Sequence, residues 1–105
     1  MQLVNEVYNL VDNFPSSEKF SLSSQITRSA VSIPSNISEG ASRNSEKDFA
    51  RFLEISLGSS FELETQLRIA NNRNYFSLSE FEVLLKNIIS LQKRIHALRR
   101  KVLNE

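Results

Sequence analysis

The sequence predicts an all-α protein, an antiparallel up-down four-helix bundle, and three observations carry that expectation. The chain has two glycines and two prolines in 105 residues, too few turn-formers for a sheet-rich fold. Apolar residues recur at helical spacing through nearly all of it. Its C-terminal part holds an unbroken three-four repeat, Phe81, Leu84, Ile88, Leu91, Ile95, Leu98 and Val102. Such a repeat is the seam of a bundle or coiled coil.

The first helix is expected from Met1 to about Asn13, with Leu3, Val7, Leu10, Val11 and Phe14 on one face. Pro15 ends it, because the residue before proline is pushed out of the helical region. A loop follows to Ser21, which is placed to cap the second helix. That helix runs from Leu22 to about Ser42, with Leu22, Ile26, Ala30, Ile33, Ile37 and Ala41 inward and serines between them. Serine is a mediocre helix former, but it lets a neighbouring backbone come close. Pro34 removes one helical hydrogen bond and crowds the Ala30 carbonyl, so a kinked second helix is expected.

Ser45-Glu46-Lys47-Asp48 is a capping-type start for the third helix, which continues to about Asn72. Its inward face reads Phe49, Phe52, Ser56, Ser60, Leu63, Leu67 and Ala70. Gly58 lies in the middle. An exposed helical glycine costs about 1 kcal/mol against alanine, so a close crossing with another helix is expected there. A turn at Asn71–Asn74 leads to Ser77, whose spacing from Glu80 is that of a capping box for the last helix. Helices three and four should each reach about 40 Å at 1.5 Å per residue. Helix one is about half as long and leaves apolar surface that self-association would cover.

Composition narrows function mainly by exclusion. Apolar content of 40%, charged content of 24% and a net charge of +1 describe an ordinary single domain over residues 1–105. The absence of cysteine excludes disulfides, thiolate catalysis and sulfur-ligated zinc. No apolar run reaches the ~18–20 residues of a membrane span, so the expected compartment is the cytoplasm. Asn36-Ile37-Ser38 spells a glycosylation sequon, which without a secretory signal carries no weight.

Catalytic constellations are nearly absent, and neither an enzyme, a cofactor nor a metal site is expected. His96 is the only histidine, which rules out paired-histidine metal sites. Glu62 and Glu64 are two apart on a helix and point in different directions. Asn36 and Glu39 share a face just before Gly40, giving either a polar cluster at an interface or a local network holding a helix end. From Val83 to Asn104 there is no acid, while Lys86, Lys93, Arg94, Arg99, Arg100 and Lys101 are basic. Lys86, Lys93 and Arg100 are heptad-spaced opposite the seam. They form either a phosphate-binding stripe or a solvated face whose cations suit the helix C-terminus.

The run Ser24-Gln25-Ile26-x-Arg28-Ser29-Ala30-Val31-Ser32-Ile33-Pro34-Ser35-Asn36-Ile37-Ser38-Glu39-Gly40 resembles the signature of the bacterial four-helix-bundle family. That family is also described as the 23S rRNA intervening-sequence-encoded protein, and it includes accessory proteins of diversity-generating retroelements. The likeness continues through Phe49-x-x-Phe52-Leu53-x-Ile55-Ser56-x-Gly58-Ser59, Glu62-Leu63-Glu64-Thr65-Gln66-Leu67 and Asn74-Tyr75-Phe76. The resemblance implies an antiparallel four-helix bundle assembled as a ring-shaped homopentamer. For retroelement members it implies a basic surface that binds RNA or DNA and a reverse transcriptase partner. It marks Arg28, Pro34, Asn36, Glu39, Gly40, Gly58 and Ser59 as structural or interface positions. Family members usually start further upstream, so this chain either begins inside helix one or leaves part of the bundle open. The leading expectation is a homo-oligomeric accessory protein binding nucleic acid through the last helix; the alternative is a protein-binding scaffold without nucleic-acid activity.

Overall fold

Two serines set where the long helices begin. In the computed structural model, which describes residues 2–105, Ser45 Oγ accepts from the Asp48 amide at 3.1 Å and opens α3, Glu46–Asn72. Ser77 closes a full capping box with Glu80 and opens α4, Leu78–Val102. Each cap satisfies an amide that the first helical turn leaves without a carbonyl.

Both long helices stop the same way. Asn74 and Asn104 take φ of 60°, the left-handed conformation that asparagine tolerates better than most residues. The Tyr75 amide then reaches back to the Ala70 carbonyl at 3.1 Å, and the Glu105 amide to that of Arg100 at 2.9 Å. These are Schellman closures with asparagine where glycine is usual.

The shorter helices are α1, Gln2–Val11, and α2, Leu22–Ala41. Helix α1 ends two residues before Asn13, and Met1 lies outside the described residues. A 3-10 turn at Ser16–Glu18 follows Pro15. Ser21 does not cap α2 with its side chain; its hydroxyl instead donates to Glu18 Oε1 at 2.6 Å. Helix α2 continues through Pro34 to Ala41.

Helices α2 and α3 share the most extensive contact, α4 packs on α3, and α1 lies on α2. The result is the expected all-α bundle, 44 Å along its long axis, which matches a 27-residue helix at 1.5 Å per residue. The core runs through Val7, Leu10, Ile26, Ile33, Leu53, Leu63, Leu67, Ile88 and Ile95. One end is closed by aromatic rings: Phe14 lies 5.2 Å from Tyr75 and 6.1 Å from Phe76, and Phe76 lies 5.9 Å from Phe81.

Several inward assignments shift. Ala41 is exposed and Gly40 is buried in its place. Phe49 and Phe52 are half-buried, and the deep positions on that turn are Ala50 and Leu53. The reason is Gly40: a Cβ there would lie 2.7 Å from Phe52 Cβ and 2.9 Å from Phe49 Cδ1. The close approach expected at Gly58 is therefore found at Gly40. Gly58 itself is exposed, with nothing of this chain within 4 Å of where a Cβ would stand. At the far end of the α4 seam, Leu98 keeps 37% exposure, because the ten-residue α1 leaves that end of α4 uncovered.

Candidate nucleic-acid interface

Helix α4 turns its apolar seam to α3 and leaves its opposite side to solvent. Lys86, Lys93 and Arg100 are exposed along that side, about 10.5 Å apart at two turns per step. Arg94 and Lys101 are exposed on an adjacent stripe. Among the described residues none of these cations has an acidic partner within salt-bridge distance. Arg94 borders a hollow toward α1, shared with Gln2, Leu3, Glu6 and Leu91.

Arg99 departs from this group. It points toward α3, where its Nη2 lies 3.4 Å from Glu54 Oε2, and its side chain is 28% exposed. Its Nε is buried without a hydrogen-bond partner. Arg99 thus links two helices rather than extending the exposed stripe. His96 is exposed on α4.

A polar pair missed by pattern reading lies inside the α3–α4 contact. Gln92, buried beside the seam, donates from Nε2 to Glu64 Oε1 at 2.9 Å. Arg68 holds the other oxygen of Glu64 with Nε and Nη2 at 3.1 and 2.9 Å. The Gln92 hydrogen bond, outweighing partial burial and joined by Arg68, holds the Glu64 carboxyl below the ordinary glutamate range. A glutamine flanking an apolar repeat was the available signal.

The serines of α2 meet those of α3. Ser29 Oγ donates to Gln66 Oε1 at 3.0 Å, and Ser32 and Ser59 hydroxyls lie 2.7 Å apart. Asn36 Nδ2 donates to the Ser32 carbonyl and hydroxyl at 2.8 and 2.9 Å. Asn36 and Ser59 therefore belong to one network across α2 and α3. Glu39 does not join them; it is exposed and pairs with Arg43 at 3.2 Å. Arg28 is exposed on a hollow bordered by Gln25, Ser32, Glu62 and Gln66. Glu62 faces solvent and Glu64 faces α4, so the two do not converge.

The family model of the 23S rRNA-intervening sequence protein matches residues 1–97. The chain belongs to that family. A solved protein of unknown function from the S23 ribosomal protein family of Bacteroides thetaiotaomicron is similar over most of its length. The two share 27% identity with a TM-score of 0.81, covering 94% of this chain and 89% of that one. No curated protein matches the sequence. Arg99, Arg100 and Lys101 lie beyond the matched family region, whereas Lys86, Lys93 and Arg94 lie within it. No described helix of this family member is long and apolar enough to cross a membrane.

Proposed function

We propose that this intervening-sequence protein is a non-enzymatic, homo-oligomeric bundle that associates with nucleic acid through α4. The observation that carries the reading is the state of the α4 cations. Lys86, Lys93, Arg94, Arg100 and Lys101 are exposed, unpaired among the described residues, and set on a helix with no acid between Val83 and Asn104. Unpaired cations on a rigid helix need no internal ion pair broken before they meet phosphate, and releasing phosphate counterions favours binding. Arg99 is not counted among the contacts.

Self-association is supported by the apolar surface left between α1 and α4 and by the exposure of Leu98. A closed ring, five-membered as the family resemblance implies, would repeat the α4 stripe around its circumference. The cytoplasm is the proposed compartment, and a reverse transcriptase is a proposed protein partner.

The test is binding of purified protein to a structured RNA over a salt series, with oligomer mass measured in the same samples. Affinity should fall steeply with salt. In a Lys86→Gln, Lys93→Gln, Arg100→Gln triple variant the log–log slope should drop by about three, one per phosphate contact. Absence of binding at ~50 mM salt, where backbone contacts are strong, would overturn the reading in favour of a protein-binding scaffold.

A further inference from the structure

Phe20 is 89% exposed, although burial ordinarily stabilises a phenylalanine side chain. The segment that carries it is fixed on both sides. Glu18 accepts from Ser21 Oγ at 2.6 Å and from Tyr75 Oη at 2.9 Å, and Arg73 Nε donates to that same Tyr75 oxygen at 2.8 Å. The residues flanking Lys19 and Phe20 are thus tied to each other and to the α3–α4 turn. Lys19 holds its ammonium 5.4 Å from the Phe20 ring and has no acidic partner among the described residues. The chain presents a pre-organised apolar knob with a cation beside it, the arrangement that lowers the ordering cost of an interface contact.

At the same end of the bundle, the gap between α1 and α4 forms a hollow of 450 Å³. Its apolar lining comes from Leu10, Val83 and Leu84, with Val83 59% exposed. Its border carries the carboxylates of Glu6 and Glu80. Glu80 uses one oxygen in the α4 cap, and Glu6 has no ion-pair partner among the described residues. The hollow is an apolar seat edged with negative charge.

We infer that Lys19 and Phe20 of one copy dock into the α1–α4 hollow of a second copy, Phe20 against Val83 and Leu84, Lys19 beside Glu6 and Glu80. The inference rests on the homo-oligomeric reading above and names the contact that builds it. Charge and shape both match: apolar against apolar, cation against two carboxylates. The placement also favours closure. The knob stands on the α1–α2 face and the hollow on the neighbouring α1–α4 face, at one end of the molecule. Contacts on different faces are heterologous, so repeating them builds a ring where the rotation closes rather than a back-to-back dimer.

The chain lacks cysteine, so a Phe20→Cys, Val83→Cys double variant reports this contact directly. Mild oxidation should give a ladder of disulfide-linked chains on a non-reducing gel, while either single cysteine should give no ladder. Mass measured across a concentration series should show Lys19→Glu and Glu6→Lys each weakening assembly about tenfold, with near-native assembly restored when both are present. Phe20→Ser should weaken it further while leaving the helical content of the dilute protomer unchanged, since the ring is 89% exposed in one chain. A monomeric native protein would overturn the oligomer reading and this contact with it. A native oligomer whose mass is untouched by Phe20→Ser and by either charge reversal, with no cysteine ladder, would overturn the contact alone.

Discussion

Ser56 Oγ donates a 2.9 Å hydrogen bond to the carbonyl of Ile33, across the α2–α3 contact and one residue before Pro34. Proline at 34 has no amide hydrogen to give the Ala30 carbonyl, so α2 is short of one internal bond on this turn. A fully buried serine on the facing helix adds a bond beside that weak point. A larger side chain at 56 would hold the two helices apart.

Ser56→Ala should therefore lower stability by about 1 kcal/mol, the usual net worth of one neutral hydrogen bond. For a domain of this size that is a fall of roughly 4–8 °C in melting temperature. Ser56→Leu should cost more, by overpacking a closely spaced contact. Thermal melts of the two variants side by side check the order; a Leu variant as stable as native would show that the contact can open freely.

The two glycines should respond with opposite signs. At Gly40 an added methyl meets Phe52 Cβ at 2.7 Å, an atom that cannot move without its backbone, so Gly40→Ala should destabilise by about 1–3 kcal/mol. At Gly58 the same methyl meets nothing within 4 Å and φ is not positive. Gly58→Ala should then stabilise by about 0.4–1 kcal/mol, through helix propensity and a less flexible unfolded chain. Paired melts at protein concentrations where the mass is constant test both.

Acid should weaken the fold through two carboxylates. Ser21, Tyr75 and Arg73 hold the Glu18 carboxyl low, and Gln92 and Arg68 do the same for Glu64. A group whose folded value is depressed contributes stability that is present above its unfolded value, near 4.5, and is lost as pH falls through the folded one. Glu64→Gln should melt lower than the native chain at pH 7, and the gap should narrow once pH falls below 4.5 and close as it passes through the depressed folded value. A gap of constant size across that range would show that the Gln92 and Arg68 contacts do not depend on the carboxylate charge.

How much of this was legible depended on whether one helix or two decided the outcome. The Ser45 and Ser77 starts and the α4 seam from Phe81 to Ile95 follow from spacing within one helix, and they stand as read. Leu98 is exposed because its burial depended on a second helix. Gly40 and Gly58 could not be told apart, because propensity treats a helical glycine alike wherever it sits; only the facing Phe49 and Phe52 give Gly40 its reason. Ser21 looked like a cap because its position suited one, but Glu18 offered its hydroxyl a carboxylate instead of the helix amides. Asn36 and Glu39 share a face by spacing, yet one turns to Ser32 and the other to Arg43. Asn74 and Asn104 hid two helix ends, because glycine is the usual marker of that closure.

Arg99 and Arg100 are neighbours in sequence with different surroundings, and they supply a control for the nucleic-acid reading. Arg99 spans to Glu54 and is partly buried, whereas Arg100 is exposed with no acidic partner among the described residues. Arg99→Gln removes a link between α3 and α4 and should lower the melting temperature, while leaving the salt slope of RNA binding near native. Arg100→Gln should leave stability within about 0.5 kcal/mol of native, as surface changes do. It should also reduce the salt slope by about one. Equal effects of the two variants on the slope would mean that binding follows the total charge of this helix end rather than its exposed stripe.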